Sequence, residues 1–254
     1  MERHLGYRLA NMQGVGARAR QEDSFTTANA FDVMKLKEEG LLFAVFDGMG
    51  GMKDGKLASE TAVQSMRASF AAMDRNADLA PQLKNAVFAA SEAVEEVIGG
   101  DGGSTAIVCI IYEEKLYFAS VGDSFLFLKR GDGLYRLNQE HNVFHDEYLS
   151  AIRCGDLDGK ACREVDEATA LTQFLGKIGM DDVDACVRPL PLKEGDILLA
   201  CSDGVGGVLD EDELKTALSF KSERAMCQQL EQRLVIHARQ FQDNYTALIV
   251  KCVY

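Results

Sequence analysis

Apolar strand-like runs closed by glycine or aspartate dominate this chain and limit what it can become. Residues 41–46, 104–112, 115–121, 125–129, 134–137, 185–190, 196–201 and 245–253 all read this way. Most neighbours in this series are separated by only a few turn residues, so they predict hairpins and antiparallel sheets. Between them lie two helical patterns, 56–73 and 81–98, and later a second pair, 214–220 (capped by Asp210 or Asp212) and 222–241. Helices in pairs and strands in runs suit helical layers over stacked sheets better than a parallel βαβ sheet. Three prolines and no Ser- or Gly-rich tract leave no flexible linker, so 1–254 reads as a single domain. The polar, acidic stretch 141–170 has no strong period and reads as a flap-like insertion.

Charge narrows the function. With 27 Lys and Arg against 40 Asp and Glu, the formal charge of −13 is the wrong sign for coating nucleic acid or anionic lipid. There is no apolar leader and no run of about 18 apolar residues, so neither export nor a membrane span is expected. The seven cysteines form no CxxC pair and read as reduced core thiols of a cytoplasmic protein.

Asp-Gly occurs at Asp47, Asp54, Asp101, Asp132, Asp158 and Asp203. Most such pairs are turns. Asp47 and Asp203 stand apart, because each ends a strongly apolar strand (LLFAVF, DILLACS) and opens a glycine loop (GMGG, GVGG). An acid there, with glycine beyond it, lets a carboxylate and a backbone carbonyl approach a small ligand closely. Asp243 stands just before the last strand, Asp123 just after another, and Glu22 and Asp23 follow the basic stretch ARAR. If these acids converged, each pair about 4 Å apart would repel by about 4 kcal/mol at an effective dielectric near 20. Divalent cations would then be needed, and all-oxygen ligands favour magnesium or manganese over zinc.

In order, the motifs RARQED, VFDGMGG, GSTA, LYFASVGDS, LTQFLG, CSDGVGG and DNYT resemble the metal-dependent protein phosphatases of type 2C, the PPM family, and most closely their compact bacterial members. The resemblance implies a four-layer αββα sandwich of two antiparallel sheets flanked by pairs of helices. It implies hydrolysis of phosphoserine and phosphothreonine in proteins by a metal-activated water, opposing a Ser/Thr kinase. Two manganese or magnesium ions are implied, with Asp47 bridging both, the Gly48 carbonyl on one, and Asp203 and Asp243 on the other. Glu22 and Asp23 match the pair that hydrogen-bonds metal-bound water, and Arg18 matches the arginine that grips the substrate phosphate. Asp123, with Asp203, matches the site of a third metal in bacterial relatives.

The sequence departs from some relatives at three places. Met49 replaces a histidine proposed to protonate the leaving group, which leaves a metal-bound water as the acid. Phe125 and Gln173 stand where many relatives carry arginine, which bears on substrate choice. Two other readings use the same residues: a hydrolase of small phosphorylated metabolites, and a non-catalytic pseudophosphatase that binds partners. The intact acids and Arg18 count against the second. His141 and His145, four apart beside Glu140, Asp146 and Glu147, offer a zinc pair only weakly, since no HExxH pattern accompanies them. Ser104 and Thr105 are expected to serve strand packing and hydrogen bonding.

Overall fold

Strands that are apolar at every position, such as LLFAVF, need cover on both faces. Each therefore implies a layer on either side. The computed structural model describes residues 4–50, 54–156, 167–237 and 242–254. The first half of the chain runs through β1 (Gly6–Gly14), β2 (Ser24–Ala28), α1 (Val33–Glu39), β3 (Leu41–Phe46), β4 (Gly48–Met49), α2 (Gly55–Ala72), α3 (Leu79–Ile98), β5 (Gly103–Ser104), β6 (Ala106–Tyr112) and β7 (Lys115–Val121). There follow β8 (Phe125–Arg130), β9 (Gly133–Arg136), α4 (Val143–Arg153), β10 (Asp184–Ala185), β11 (Leu190–Pro191), β12 (Ile197–Cys201), α5 (Asp203–Gly206), α6 (Glu211–Ala217), α7 (Glu223–His237) and β13 (Tyr245–Val253).

One sheet has the order β1-β13-β12-β8-β9; the other runs β10-β7-β6-β3-β2, with β11 also on β7. The pairings in both are antiparallel, as the hairpin spacing predicts. Alternation along β3 separates two cores. Leu41, Phe43 and Val45 meet Leu126, Leu198 and Leu248 of the opposite sheet. Leu42, Ala44 and Phe46 face outward onto Ala58, Ala62 and Met66 of α2 and Leu83, Val87 and Val94 of α3. β12 divides likewise: Leu198 and Ala200 point between the sheets, and Ile197, Leu199 and Cys201 point to Leu214 of α6 and Leu230 of α7. The result is the αββα sandwich. Each fully buried Leu or Phe of these layers contributes about 1.5–3 kcal/mol, which makes the middle of the sandwich a stiff platform for its rim.

The helices begin where short polar side chains can cap them. Asp54 accepts from the Lys56 N–H, Asp78 from the Ala80 N–H, and Asp210 forms a reciprocal capping box with Glu213. Gly99, at φ 69°, closes α3 in the left-handed conformation.

Several elements differ from the sequence reading. β1, β2 and α1 carry no clear apolar period, because β1 and β2 are edge strands and α1 buries none of its residues. The expected strand 185–190 is instead two short pairings on β7, since Pro189 has no N–H to give a ladder and Val187 turns out to solvent. Cys109, Cys201, Cys227 and Cys252 are buried as expected, whereas Cys154 is exposed and Cys186 only half-buried. The segment 141–170 contains α4; its residues 157–166 lie outside the described residues, as do Cys162, Gly51 and the 238–241 end of the last helical pattern. Among the described residues no helix is long and apolar enough to cross a membrane.

Candidate active site

The acids singled out in the sequence come together at one rim of the sandwich, and the topology explains why. Glu22 and Asp23 lie where the chain passes from β1 in one sheet to β2 in the other, and Asp123 lies on the equivalent passage from β7 to β8. Asp47 follows β3 directly. Asp203 follows β12, and Asp243 precedes β13, which lies antiparallel beside β12 with Cys201 opposite Ala247. Antiparallel pairing thus sets the end of one strand beside the start of the next, so residues distant in sequence become neighbours. Arg18, Glu22, Asp47, Asp123, Asp203 and Asp243 all line one cavity of about 510 Å³, to which Gly48 and Met49 also contribute. A second cavity of about 620 Å³ shares Asp123, Asp203 and Asp243 and extends past Phe125.

Backbone contacts fix the two Asp-Gly turns. The Asp47 N–H donates to Thr105 Oγ1 at 3.1 Å, and its carbonyl accepts from Ser104 Oγ at 3.0 Å and from the Thr105 N–H at 2.8 Å. Thr105 Oγ1 in turn meets Ser124 Oγ at 2.7 Å. Ser104 and Thr105 thus make the hydrogen bonds expected of them, and the partner is the backbone of a site acid. A Cβ on Gly48 would come within 2.5 Å of the Glu22 carbonyl, and one on Gly204 within 1.9 Å of the Asn244 carbonyl. Glycine is what allows the turns to nest against their neighbours.

The electrostatics are those of an uncompensated carboxylate cluster. Burial first, and then the charges of Asp23 and Asp203, raise the Asp47 pKa well above the usual range; the carboxyl lies within hydrogen-bonding reach of both. Asp203 is raised by burial and by Asp243, and Asp123 is pushed up to about 7 by burial and by Asp203. Asp23 is fully buried. Its Oδ2 accepts from Ser202 Oγ at 3.0 Å and Thr246 Oγ1 at 2.7 Å, which opposes the upward shift that burial imposes. Its Oδ1 and the Asp203 Oδ1 are buried with no hydrogen-bond donor.

Those two bare oxygens are the fit test for the implied cations, and the residues pass it. Buried carboxylate oxygens without donors can be relieved by protonation or by positive charge. Among the described residues no three Asp, Glu, His or Cys side chains form a ready-made cage. The all-oxygen donors present are of the kind that suits magnesium or manganese, which keep water ligands and take one or two carboxylates.

Arg18 stands at the mouth, half exposed, with Nη2 donating to Asp243 Oδ2 at 2.5 Å. That bond and the surrounding acids raise its pKa. An ion pair this exposed contributes little stability, so the guanidinium can exchange one anionic partner for another at small cost.

The remaining candidates fall outside this constellation or at its margin. His141 approaches the Gly122 carbonyl and His145 the Gln139 side chain, so they do not form a metal pair. Phe125 stacks on Phe127 and lies under the Arg136 guanidinium, 4.1 Å from its ring centre, while Gln173 donates to Asp181. Ser202, Thr246 and Asn244 were missed by sequence reasoning. Their signal was membership of the motifs CSDGVGG and DNYT beside Asp203 and Asp243, and small polar residues beside turns are too common to single out within them.

Comparison with known proteins gives the family and the fold. Residues 7–152 match the family model described as Protein phosphatase 2C. The serine/threonine phosphatase stp of Listeria innocua is 26% identical over 229 residues, covering 86% of this chain and 87% of that protein. PppA, described as a key regulatory component of T6SS in Pseudomonas aeruginosa, superposes with a TM-score of 0.76 at 25% identity over 97% of this chain and 98% of that one. The catalytic domain of the serine threonine protein phosphatase PstP, solved with two manganese ions, superposes with a TM-score of 0.77 at 22% identity over 99% and 100% of the two chains.

Proposed function

This chain belongs to the protein phosphatase 2C family, and from that premise we propose that it is a metal-dependent phosphatase acting on phosphoserine and phosphothreonine in proteins. The observation that carries the reading is the cluster of Asp23, Asp47 and Asp203, with buried carboxylate oxygens short of hydrogen-bond donors, beside the exposed guanidinium of Arg18. Two manganese or magnesium ions would be held by Asp47 and the Gly48 carbonyl on one side and by Asp203 and Asp243 on the other, with Asp123 and Asp203 available to a third. PstP supports the manganese pair by likeness of fold. When bound, the ions supply hydroxide at neutral pH and charge compensation at the phosphoryl group.

The protein's own residues do the rest. Arg18, released from Asp243, binds the phosphoryl oxygens through its planar fork and turns phosphorus toward the carboxylates. Glu22 lines the cavity and would accept hydrogen bonds from water there, while Asp23 lies fully buried behind the lining, held by Ser202 and Thr246, and would serve that water from beside Asp47. Met49 at the cavity wall cannot donate a proton, so the leaving alkoxide takes its proton from water. No side-chain nucleophile is required and no phosphoenzyme forms. Asn142 and Thr169 of the segment 141–170 border the cavities, and in this reading the segment contributes to the choice among phosphoproteins. We assign the protein to the cytoplasm, opposing a Ser/Thr kinase.

The test is hydrolysis of phosphoserine, phosphothreonine and phosphotyrosine peptides beside an aryl phosphate and small phosphorylated metabolites, with manganese, with magnesium and with EDTA. Turnover of the first two peptides, lost in EDTA, is expected. Preference for metabolites would replace the protein substrate, and metal-saturated inactivity would leave a binding domain.

A further inference from the structure

The stretch between β1 and β2 carries Arg18 and Glu22 but has no ladder to shape it. Its carbonyls need donors from elsewhere. Gln13, Lys56 and Ser59 serve its Glu22 and Asp23 end, and one side chain serves the part that carries Arg18. Asn244 is 4% exposed, and its Nδ2 donates to the Val15 carbonyl and to the Arg20 carbonyl, both at 2.9 Å. Its Oδ1 accepts from the Glu22 N–H at 2.7 Å, and its own N–H donates to Asp243 Oδ1 at 2.8 Å. Both donors and the acceptor of the carboxamide are therefore used on one loop, at points that bracket Arg18 and end on Glu22. Around this anchor the loop lies close against the β13 approach. Ala17 N–H donates to the Gln242 carbonyl at 2.8 Å, and Gly16, at φ +62°, has no room for a Cβ beside the Asp243 carbonyl.

We propose that Asn244 is the positioning residue that sets Arg18 and Glu22 in register with Asp243. This rests on the phosphatase reading above. No other side chain reproduces the pattern: aspartate keeps the acceptor for Glu22 but turns oxygens toward two carbonyls, serine is too short, and glutamine is a methylene too long. The Asp243 carboxylate keeps its backbone N–H whatever stands at 244, so the metal ligands are disturbed least and the phosphate-binding arginine most.

The test is a double-mutant cycle between Asn244→Ala and Arg18→Ala on manganese-loaded protein, reading inorganic phosphate affinity by calorimetry, KM and kcat on a phosphopeptide, and manganese affinity. Asn244→Ala should weaken phosphate binding and raise KM roughly tenfold, since misplacement by a fraction of an ångström at a reacting centre is costly. Manganese affinity should stay near wild type. In the Arg18→Ala background the same change should cost no further phosphate affinity, because a residue acting through Arg18 has nothing left to position. Losses that add, or manganese affinity falling in step with phosphate affinity, would overturn the assignment. If Asn244→Ala does not fold, the isosteric Asn244→Asp takes its place in the cycle, and hydrogen exchange at the Glu22 amide should stay slow in it. A freely exchanging Glu22 amide in wild type, or wild-type protein with no phosphate affinity, also overturns the proposal. Wild type that binds phosphate yet cleaves no phosphopeptide would instead overturn the phosphatase reading, and the cycle on phosphate affinity would still decide Asn244.

Discussion

Asp47 concentrates the chemistry of the site in one carboxyl group, half-buried between Asp23 and Asp203 with its backbone clamped by Ser104 and Thr105. Asp47→Ala, and separately Asp203→Ala, should abolish phosphopeptide turnover while the protein remains folded, since each removes repulsion as well as a proposed metal ligand. Near wild-type kcat at saturating manganese in either variant would remove that residue from the metal centre. Arg18→Ala should act differently. In its proposed role its charge would meet phosphate in the ground state and transition state alike, so KM should rise roughly ten- to hundredfold with kcat little changed, the effect of losing a charge-assisted hydrogen bond. A fall in kcat at constant KM would make it a transition-state group. Asp47 and Asp203 were legible in sequence because each ends an apolar strand and opens a glycine loop, whereas Arg18 was legible only through the resemblance of its motif. Ser202, Thr246 and Asn244 were not, because their importance lies in which distant backbone or carboxylate they touch.

At the scale of elements, legibility followed burial. β3 and β12 are covered on both faces and read as unbroken apolar runs; α2 and α3 present an apolar face to a sheet and show helical spacing. β1 and β2, at sheet edges, have only part of a face to bury and gave no period, although β2 leads out of the turn that holds Glu22 and Asp23. The turns after β3 and β12 yield a sharp prediction. Gly204→Ala would put a Cβ 1.9 Å from the Asn244 carbonyl, and neither backbone can yield alone. Overpacking of this sort costs about 1–3 kcal/mol, and here it also pushes the Asp203 turn away from Asp243. Thermal melts should show a lower Tm, and manganese titration a weaker affinity. Gly6→Ala, whose Cβ would sit 3.7 Å from Val253, should change neither. Equal behaviour of the two variants would mean that the turn is not tightly nested.

For the whole molecule, the carboxylate cluster couples stability to pH and to metal. Asp123 is pushed from 3.8 up to about 7 by burial first and by Asp203 second, and Asp47, Asp23 and Asp203 move in the same direction. A carboxyl whose pKa is raised by folding binds more protons in the native than in the unfolded state. Its contribution is complete below the unfolded pKa and is lost as pH rises through the native one. Metal-free protein should therefore lose stability from about pH 4 to about pH 7, and Asp123→Asn should flatten the upper part of that fall. Two divalent ions add +4 to a formal charge of −13, giving −9, and place the compensation where the repulsion is. At a hundredfold excess over Kd, one site held only by the native state stabilises by about 2.7 kcal/mol, or roughly 5–10 °C in Tm for a chain of this size. Melting curves across pH, with EDTA and with manganese, should accordingly diverge as pH rises and meet in acid, where protons already occupy the carboxylates. Curves that stay parallel through that range would mean the cluster is not what binds the metal.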